Sequence, residues 1–354
     1  MGNIVFIAGT RPELIKLWPI SWIMKNQGLD HSFILTGQHC IKGSLLCPLA
    51  QILDSITYEA LPTLSLSALV EKVKRRDPKV VIVQGDTNSA VFGGVAAKLN
   101  MSCLLHVEAG LRSGDVYFPW PEEINRVALS RISNYHYAPS SAARLNLINE
   151  GIQAEKILVT GNTVFDAVEM VRKDKADNLG CPVFGGLNKR ILVTCHRREN
   201  WGRSAINIMA ALYRLSLNPK VRIEIIDHHH NAVALLARQS QFFSPRINVV
   251  FPKTYSDFIE SITFSDLIIT DSGGVQEEAF YLGRPLIILR NITERSEYLQ
   301  DGASILVGVD EELIVSKSIE LLFGKSRASI PVGRAKFVTG ASAAIVSHIT
   351  SAQL

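Results

Sequence analysis

The sequence predicts an α/β fold of two domains, each built on a mostly parallel sheet, and three observations lead there. Short runs rich in Val, Ile and Leu recur between longer stretches of helical period. These runs are apolar almost throughout rather than alternating, the pattern of strands whose sheet is covered by helices on both faces. The chain, at 354 residues, also exceeds what one hydrophobic core ordinarily accommodates.

In chain order the clearest predicted strands are Ile4 to Ala8, Val80 to Gln84 and Cys103 to Val107, then Ile191 to Thr194 and Val221 to Ile226. Val249 to Phe251, Leu267 to Thr270 and Pro285 to Leu289 continue the series. Between Arg172 and Arg190 the pattern breaks into a charged and then Gly-rich stretch containing one Pro, which reads as a linker. The expected organisation is therefore a first domain over 1–172, a linker over 173–189 and a second domain over 190–335. A closing helix over 336–354 is expected to pack back on the first domain. Two such domains facing each other leave a cleft, and ligands of parallel α/β sheets bind beyond the C-terminal ends of the strands.

Composition narrows the function. Hydrophobic residues make up 47% and charged residues 20%, as in an ordinary soluble globular protein. A net charge of +4, with Lys and Arg dispersed, argues against a nucleic-acid partner. The five cysteines lack close paired spacing, so neither a disulfide framework nor a zinc site is expected, and a reducing compartment is. The apolar start has no basic region before it and reads as a buried strand, not a secretory signal. No apolar stretch is long enough to cross a membrane; a cytoplasmic location and no membrane partner are expected. No G-x-G-x-x-G follows the first strand and no P-loop appears, so no NAD or ATP fingerprint is present and no cofactor is expected.

Polar clusters fall at the strand ends. The first strand runs into Gly9-Thr-Arg-Pro-Glu-Leu-Ile-Lys16, a sharp turn into a helix N-terminus that attracts anions. Arg11 there either contacts a diphosphate through its planar fork or caps a turn at the surface. Gly85-Asp-Thr-Asn88 follows the next strand, and Asp86 is either the N-cap of a helix beginning near Asn88 or a cleft carboxylate. In His106-Val-Glu-Ala-Gly-Leu-Arg-Ser113, Glu108 lies between an apolar strand and a Gly turn, where burial suits a carboxyl to proton transfer. In Phe118-Pro-Trp-Pro-Glu-Glu-Ile-Asn-Arg126, Glu122 opens a helix at its dipole-favoured end. Any one of these carboxylates has a bland explanation; three in succession favour acid–base chemistry.

In the second half, Thr194-Cys-His-Arg-Arg-Glu-Asn-Trp-Gly202 offers Arg residues for phosphate contacts or for salt bridges. Ile226-Asp-His-His-His-Asn231 carries three adjacent His residues, which alternate in direction on an extended chain and so do not converge on one metal ion. Thr270-Asp-Ser-Gly-Gly-Val-Gln-Glu-Glu-Ala279 is the most specific feature: a buried strand, a Ser-Gly-Gly turn and a helix start make a cradle of backbone N–H groups for phosphate. Glu278, one turn into that helix, is placed to accept both hydroxyls of a ribose.

Taken in order, these clusters resemble the non-hydrolysing UDP-N-acetylglucosamine 2-epimerases over nearly the whole chain. The resemblance rests on Gly85-Asp-Thr, His106-Val-Glu-Ala-Gly-Leu-Arg, Pro119-Trp-Pro-Glu-Glu, His196-Arg-Arg-Glu-Asn, Asp271-Ser-Gly-Gly-Val-Gln-Glu-Glu and Thr293-Glu-Arg. It implies two Rossmann-like domains facing a cleft in a glycosyltransferase-B-like arrangement, and a homodimer. It implies a UDP-linked N-acetylhexosamine as substrate, inverted at C2 by anti-elimination of UDP through a 2-acetamidoglucal and re-addition. By the same resemblance Asp86, Glu108, Glu122 and His229 are catalytic. Arg11, Lys16, Arg126, Ser272, Gly273, Gly274, Glu278 and Arg295 bind the UDP-sugar, and no metal takes part. The chain departs from the family at Gln38-His-Cys-Ile-Lys-Gly and in the helix between Leu64 and Arg76. These are regions that build a second, activating substrate site in bacterial members, and the changes argue against that regulation here. The alternatives are a 2-epimerase of another UDP-aminosugar, a hydrolysing epimerase, a glycosyltransferase, or a non-catalytic UDP-sugar sensor.

Overall fold

The computed structural model describes residues 3–38, 49–115, 119–174, 188–227, 231–293, 299, 303–324 and 339–354. The chain divides into two compact units, one of Met1–Met170 with Val338–Leu354, the other of Val171–Phe337. Among the described residues no helix is long and apolar enough to cross a membrane.

The first unit holds β1 (Ile4–Ala8), β2 (His31–Leu35), β3 (Tyr58–Ala60), β4 (Val80–Gln84), β5 (Cys103–Val107), β6 (Tyr135–Ala138) and β7 (Ile157–Val159). They form a parallel sheet in the order β3-β2-β1-β4-β5-β6-β7. The helices in chain order are α1 (Arg11–Asn26), α2 (Ala50–Ser55), α3 (Leu66–Arg76), α4 (Asn88–Leu99), α5 (Glu122–Ile132), α6 (Ser141–Asn149) and α7 (Thr163–Asp174), and the division between units falls inside the last. The apolar continuity of β1 and β4 has the expected cause: all five residues of each are buried. One sheet face packs Val5, Ile7, Val81 and Val83 against Leu69 and Val73 of α3 and Ala90, Ala96 and Ala97 of α4.

The second unit repeats the plan with β8 (Lys189–Thr194), β9 (Val221–Ile226), β10 (Ile247–Val250), β11 (Leu267–Thr270), β12 (Leu286–Ile288) and β13 (Ser304–Leu306), in the order β10-β9-β8-β11-β12-β13. Its helices are α8 (Arg203–Ser216), α9 (Ala232–Ala237), α10 (Tyr255–Thr263), α11 (Gly273–Tyr281) and α12 (Glu311–Phe323). Ile208 and Leu212 of α8 and Ile314 and Leu322 of α12 belong to the core formed with Ile191, Val193, Ile225 and Ile269. The closing helix α13 (Ala341–Ser351) belongs to the first unit, where it packs on α1.

Strand order locates the places where ligands collect. In the first sheet successive strands run one way from β1 to β3, and the chain then crosses to β4 on the other side of β1. The loops after β1 and β4 therefore diverge, leaving a crevice at the carboxyl edge. In the second sheet the same divergence separates the loops after β8 and β11. The sequence clusters beginning at Gly9, Gly85, Cys195 and Asp271 occupy those four loops.

Candidate functional site

In the first unit, backbone constraints shape the carboxyl edge. Gly9 has to be glycine, because a Cβ there would run into the hydroxyls of Ser89 and Thr36. Thr10 and Glu13 form a capping box at the start of α1. The fully buried Glu13 carboxylate accepts from Gly9 N (2.9 Å), Thr10 N (2.7 Å), Thr10 Oγ1 (2.7 Å) and, across the crevice loops, Thr87 Oγ1 (2.6 Å). Burial pushes its pKa up to about 7 against the pull of these donors. Arg11, half-buried, is the first residue of α1.

Asp86 is not the cap of the following helix. Thr87 takes that place, its side chain accepting from Ala90 N, because its hydroxyl lies at the N-cap position of α4. Asp86 is thereby released for another contact, an ion pair with Arg126 at 2.5 Å. Arg126 also holds Glu123 at 2.6 Å, and Glu123 in turn accepts from Ser113 N at 3.1 Å. Asn125 donates to the Asp86 carbonyl (2.8 Å) and to Asn88 (3.0 Å). The loops after β4 and β5 are thus tied to one face of α5. The Asp86 side chain remains 26% exposed while Arg126 is 6% exposed, so the carboxylate is the member of the pair that meets solvent.

Glu108 has φ of 64°, the left-handed region that non-glycine residues rarely occupy, at a cost on the order of 1–3 kcal/mol. Strain of this kind persists where surrounding contacts over-determine it, and here they do. Ala109 N bonds to Tyr137 O at 3.0 Å, and the Gly110 backbone lies so close to Ala143 that no Cβ fits. Arg112 clamps the loop by donating to Glu150 (2.6 and 2.8 Å), Ser130 (2.9 Å) and the Leu111 carbonyl (2.7 Å). The Glu108 carboxylate, 7% exposed, pairs with Lys16 of α1, 4% exposed, at 2.6 Å. It also accepts a hydrogen bond from the Gln84 amide. Lys16 is thus placed on a carboxylate, as is Arg126. Glu122 is the first residue of α5, half-buried, just past the cis peptide between Trp120 and Pro121.

In the second unit the buried Asp271 organises the loop edge. It accepts from His196 N (3.0 Å), Arg197 N (2.9 Å), Asn200 Nδ2 (2.9 Å) and the Cys195 thiol (3.3 Å). Burial, followed by the Asp271 charge, pushes that thiol's pKa well up. Thr194 and Thr270, paired across β8 and β11, join hydroxyls at 2.6 Å beneath it. Ser272 stands at the N-cap of α11 without a side-chain cap bond, and the first-turn N–H groups of Gly273 and Gly274 begin the helix. A Cβ added at Gly274 meets nothing within 4 Å, so the backbone there faces open space, as an anion cradle requires. Glu278 is buried in the same helix.

Of the predicted site residues, the structure brings Asp86 together with Arg126 and Glu108 together with Lys16; Ser272, Gly273 and Gly274 form the start of α11, and Glu278 lies further along the same helix. His229 and Arg295 lie outside the described residues, as does the 39–48 stretch of the Gln38 loop. Among the described residues no group of three His, Cys, Asp or Glu side chains is arranged to hold a metal ion. The sequence reasoning singled out neither Glu13, Gln84, Glu123 nor Asp271 individually. Asp271 carried a visible signal, an acid directly after a buried strand, and Glu13 another, the Thr10-x-x-Glu13 spacing of a capping box; Gln84 acts through Glu108, which lies on the next strand's loop.

The family model described as UDP-N-acetylglucosamine 2-epimerase matches residues 22–350. The UDP-N-acetylglucosamine 2-epimerase of Bacillus subtilis (strain 168) is 36% identical, over 94% of this chain and 91% of that protein. Among solved structures, the Neisseria meningitidis UDP-GlcNAc 2-epimerase bound to UDP-GlcNAc has a TM-score of 0.86 at 29% identity, covering 99% of this chain and 100% of the other. The Methanocaldococcus jannaschii UDP-GlcNAc 2-epimerase in complex with UDP-GlcNAc and UDP has a TM-score of 0.80 at 31% identity, covering 99% of each chain. Two parallel sheets, motif-bearing loops at both switch points and a family match over nine-tenths of the sequence agree: the chain is an isomerase that belongs to the UDP-N-acetylglucosamine 2-epimerase family.

Proposed function

We propose that the chain reversibly converts UDP-N-acetylglucosamine to UDP-N-acetylmannosamine by anti-elimination of UDP and re-addition across a 2-acetamidoglucal. The C2 proton is not adjacent to a carbonyl, so its removal has to be driven by departure of a stabilised leaving group. The C2–H electron pair becomes the C1–C2 double bond, and the C1–O pair leaves on the UDP oxygen. Protonation of C2 from the opposite face and attack of that oxygen on C1 complete the inversion. The chemistry calls for carboxylates and an anion cradle, and for no redox cofactor.

The observation that most supports this is the pair of strand-end carboxylates, Asp86 and Glu108, each on its own buried cation. We assign acid–base work to Asp86, Glu108 and Glu122, and stabilisation of the leaving diphosphate to His229. Ser272, Gly273, Gly274 and Glu278 are assigned to UDP, together with Arg11 and Arg295. Lys16 and Arg126 serve the nucleotide sugar from their positions on the carboxylates. A homodimer in the cytoplasm is the expected setting, with light scattering as the check on assembly.

The test is NMR of the protein with a panel of UDP-aminosugars in deuterated water. UDP-N-acetylglucosamine should yield its C2 epimer carrying deuterium at C2. An inverted product without solvent deuterium, or free N-acetylmannosamine as the first product, would overturn the proposal. Turnover confined to a diacetamido-uronic or deoxy-aminosugar member of the panel would replace the substrate.

A further inference from the structure

We infer that Gln84 is a positioning residue for Glu108, fixing the direction of its carboxylate for proton transfer. The inference rests on the catalytic assignment of Glu108 made above. Gln84 is the last residue of β4, and its register partner on β5 is Val107, the residue immediately before Glu108. It is buried, 3% exposed, at a strand end that opens onto the crevice loops. Its amide Nε2 donates to Oε2 of Glu108, the same oxygen that Lys16 Nζ reaches at 2.6 Å. Two donors therefore converge on one carboxylate oxygen from two different elements, β4 and α1.

The two donors are not equivalent. An ammonium is a compact charge on a flexible stem and accepts many approach directions. The planar amide, on a strand held by β1 on one side and β5 on the other, specifies both distance and plane. The clamped backbone of Glu108 fixes where its side chain starts, but not the direction of the carboxylate at the end of its rotatable bonds. Catalytic groups need placement within about half an ångström, which comes from neighbours whose own positions are locked. Gln84 is such a neighbour, uncharged and buried at the end of β4.

The test compares Gln84→Met, which keeps length and burial but lacks the donor, with Gln84→His, which retains a ring N–H. Gln84→Met should lower kcat by about tenfold or more, the effect of one hydrogen bond to a charged group. KM for UDP-N-acetylglucosamine, the affinity for UDP and the melting temperature should stay at their wild-type values. Gln84→His should recover most of the lost kcat. Wild-type kcat in Gln84→Met, or a loss of kcat matched by loss of UDP affinity, overturns the inference. Glu108→Gln separates the two levels. If that variant is inactive while Gln84→Met is fully active, only the positioning role fails. If Glu108→Gln is itself fully active, the assignment beneath it fails as well.

Discussion

Replacing Glu13 by Gln should change how the stability of the first unit depends on pH. Glu13 is fully buried and pairs with no cation in the contacts described; Gly9, Thr10 and Thr87 donate to it. Desolvation dominates, raising its pKa from the ordinary 4.5 to about 7. The folded chain therefore holds the Glu13 proton more tightly than the unfolded chain does. The resulting stabilisation is fully present below pH 4.5 and is lost as pH rises through about 7. A difference of that size corresponds to about 3 kcal/mol, with a slope approaching 1.4 kcal/mol per pH unit in the middle of the range. The amide of the Glu13→Gln variant cannot ionise, so the stability of the wild type relative to the variant should fall by that amount between pH 4.5 and 7. Any fixed cost of the substituted side chain is a pH-independent offset and cancels in the slope. Urea unfolding followed by tryptophan fluorescence suits the measurement once Trp201 is replaced by Phe, since Trp18, Trp22 and Trp120 all belong to the first unit. A flat difference across that window would show that the donors fully offset desolvation. A wild type that gains on the variant with rising pH would show that they exceed it.

Two further outcomes follow from buried groups. His106 and His136 are both buried neutral, burial holding their pKa values down to about 4 and about 3, so the stability they confer is present above pH 6.5 and lost as pH falls. Urea midpoints at pH 7 and pH 5 should therefore differ less in His136→Gln than in the wild type, and an unchanged difference would refute the assignment. Asp271→Asn should cost about 2–3 kcal/mol, because an amide NH2 then faces donors the carboxylate had accepted. It should also speed labelling of Cys195 by a thiol reagent, mapped by mass spectrometry; unaltered labelling would mean that Asp271 does not hold the 195–200 loop.

The most legible part of the fold was the part buried on both faces. β1, β4, β5 and β11 fall where near-continuous apolar runs predict them, residue for residue, and β9 does so although Arg222 and Glu224 leave one of its faces polar. Elsewhere the signal weakens for physical reasons. β2 opens with His31 and Ser32, and β6 interleaves His136 between tyrosines. β3, β7 and β13 are three-residue edge strands, too short for a pattern. β8 and β10 start two residues earlier than expected, because Lys189 and Arg190 in the one and Asn248 in the other interrupt the apolar run, and β10 ends one residue earlier, at Val250. At the site, Asp86 and Glu108 were visible as acids just past apolar strands. Their counterions were not: the pairing of Lys16 with Glu108 spans 92 positions and needs the β1-β4-β5 order plus one and a half turns of α1. The choice of Thr87 over Asp86 as cap was likewise invisible, since both residues favour that position.

The return of α13 to the first unit bears on how the molecule is made. Asp166 accepts from Gly340 N (2.6 Å) and Ser342 N (2.7 Å), seating a negative charge at the positive end of α13. His348 meets the Tyr137 hydroxyl at 3.0 Å, and Ile345, Val346 and Ile349 are buried. On the ribosome, all of the second unit leaves the exit tunnel before the last piece of the first is available. The unit begun first is thus finished last, and until Ile349 docks, a nascent chain carries an uncovered apolar seam along α1. Proteolysis near residue 340 should uncover that seam, even though it leaves the second unit's described strands and helices intact.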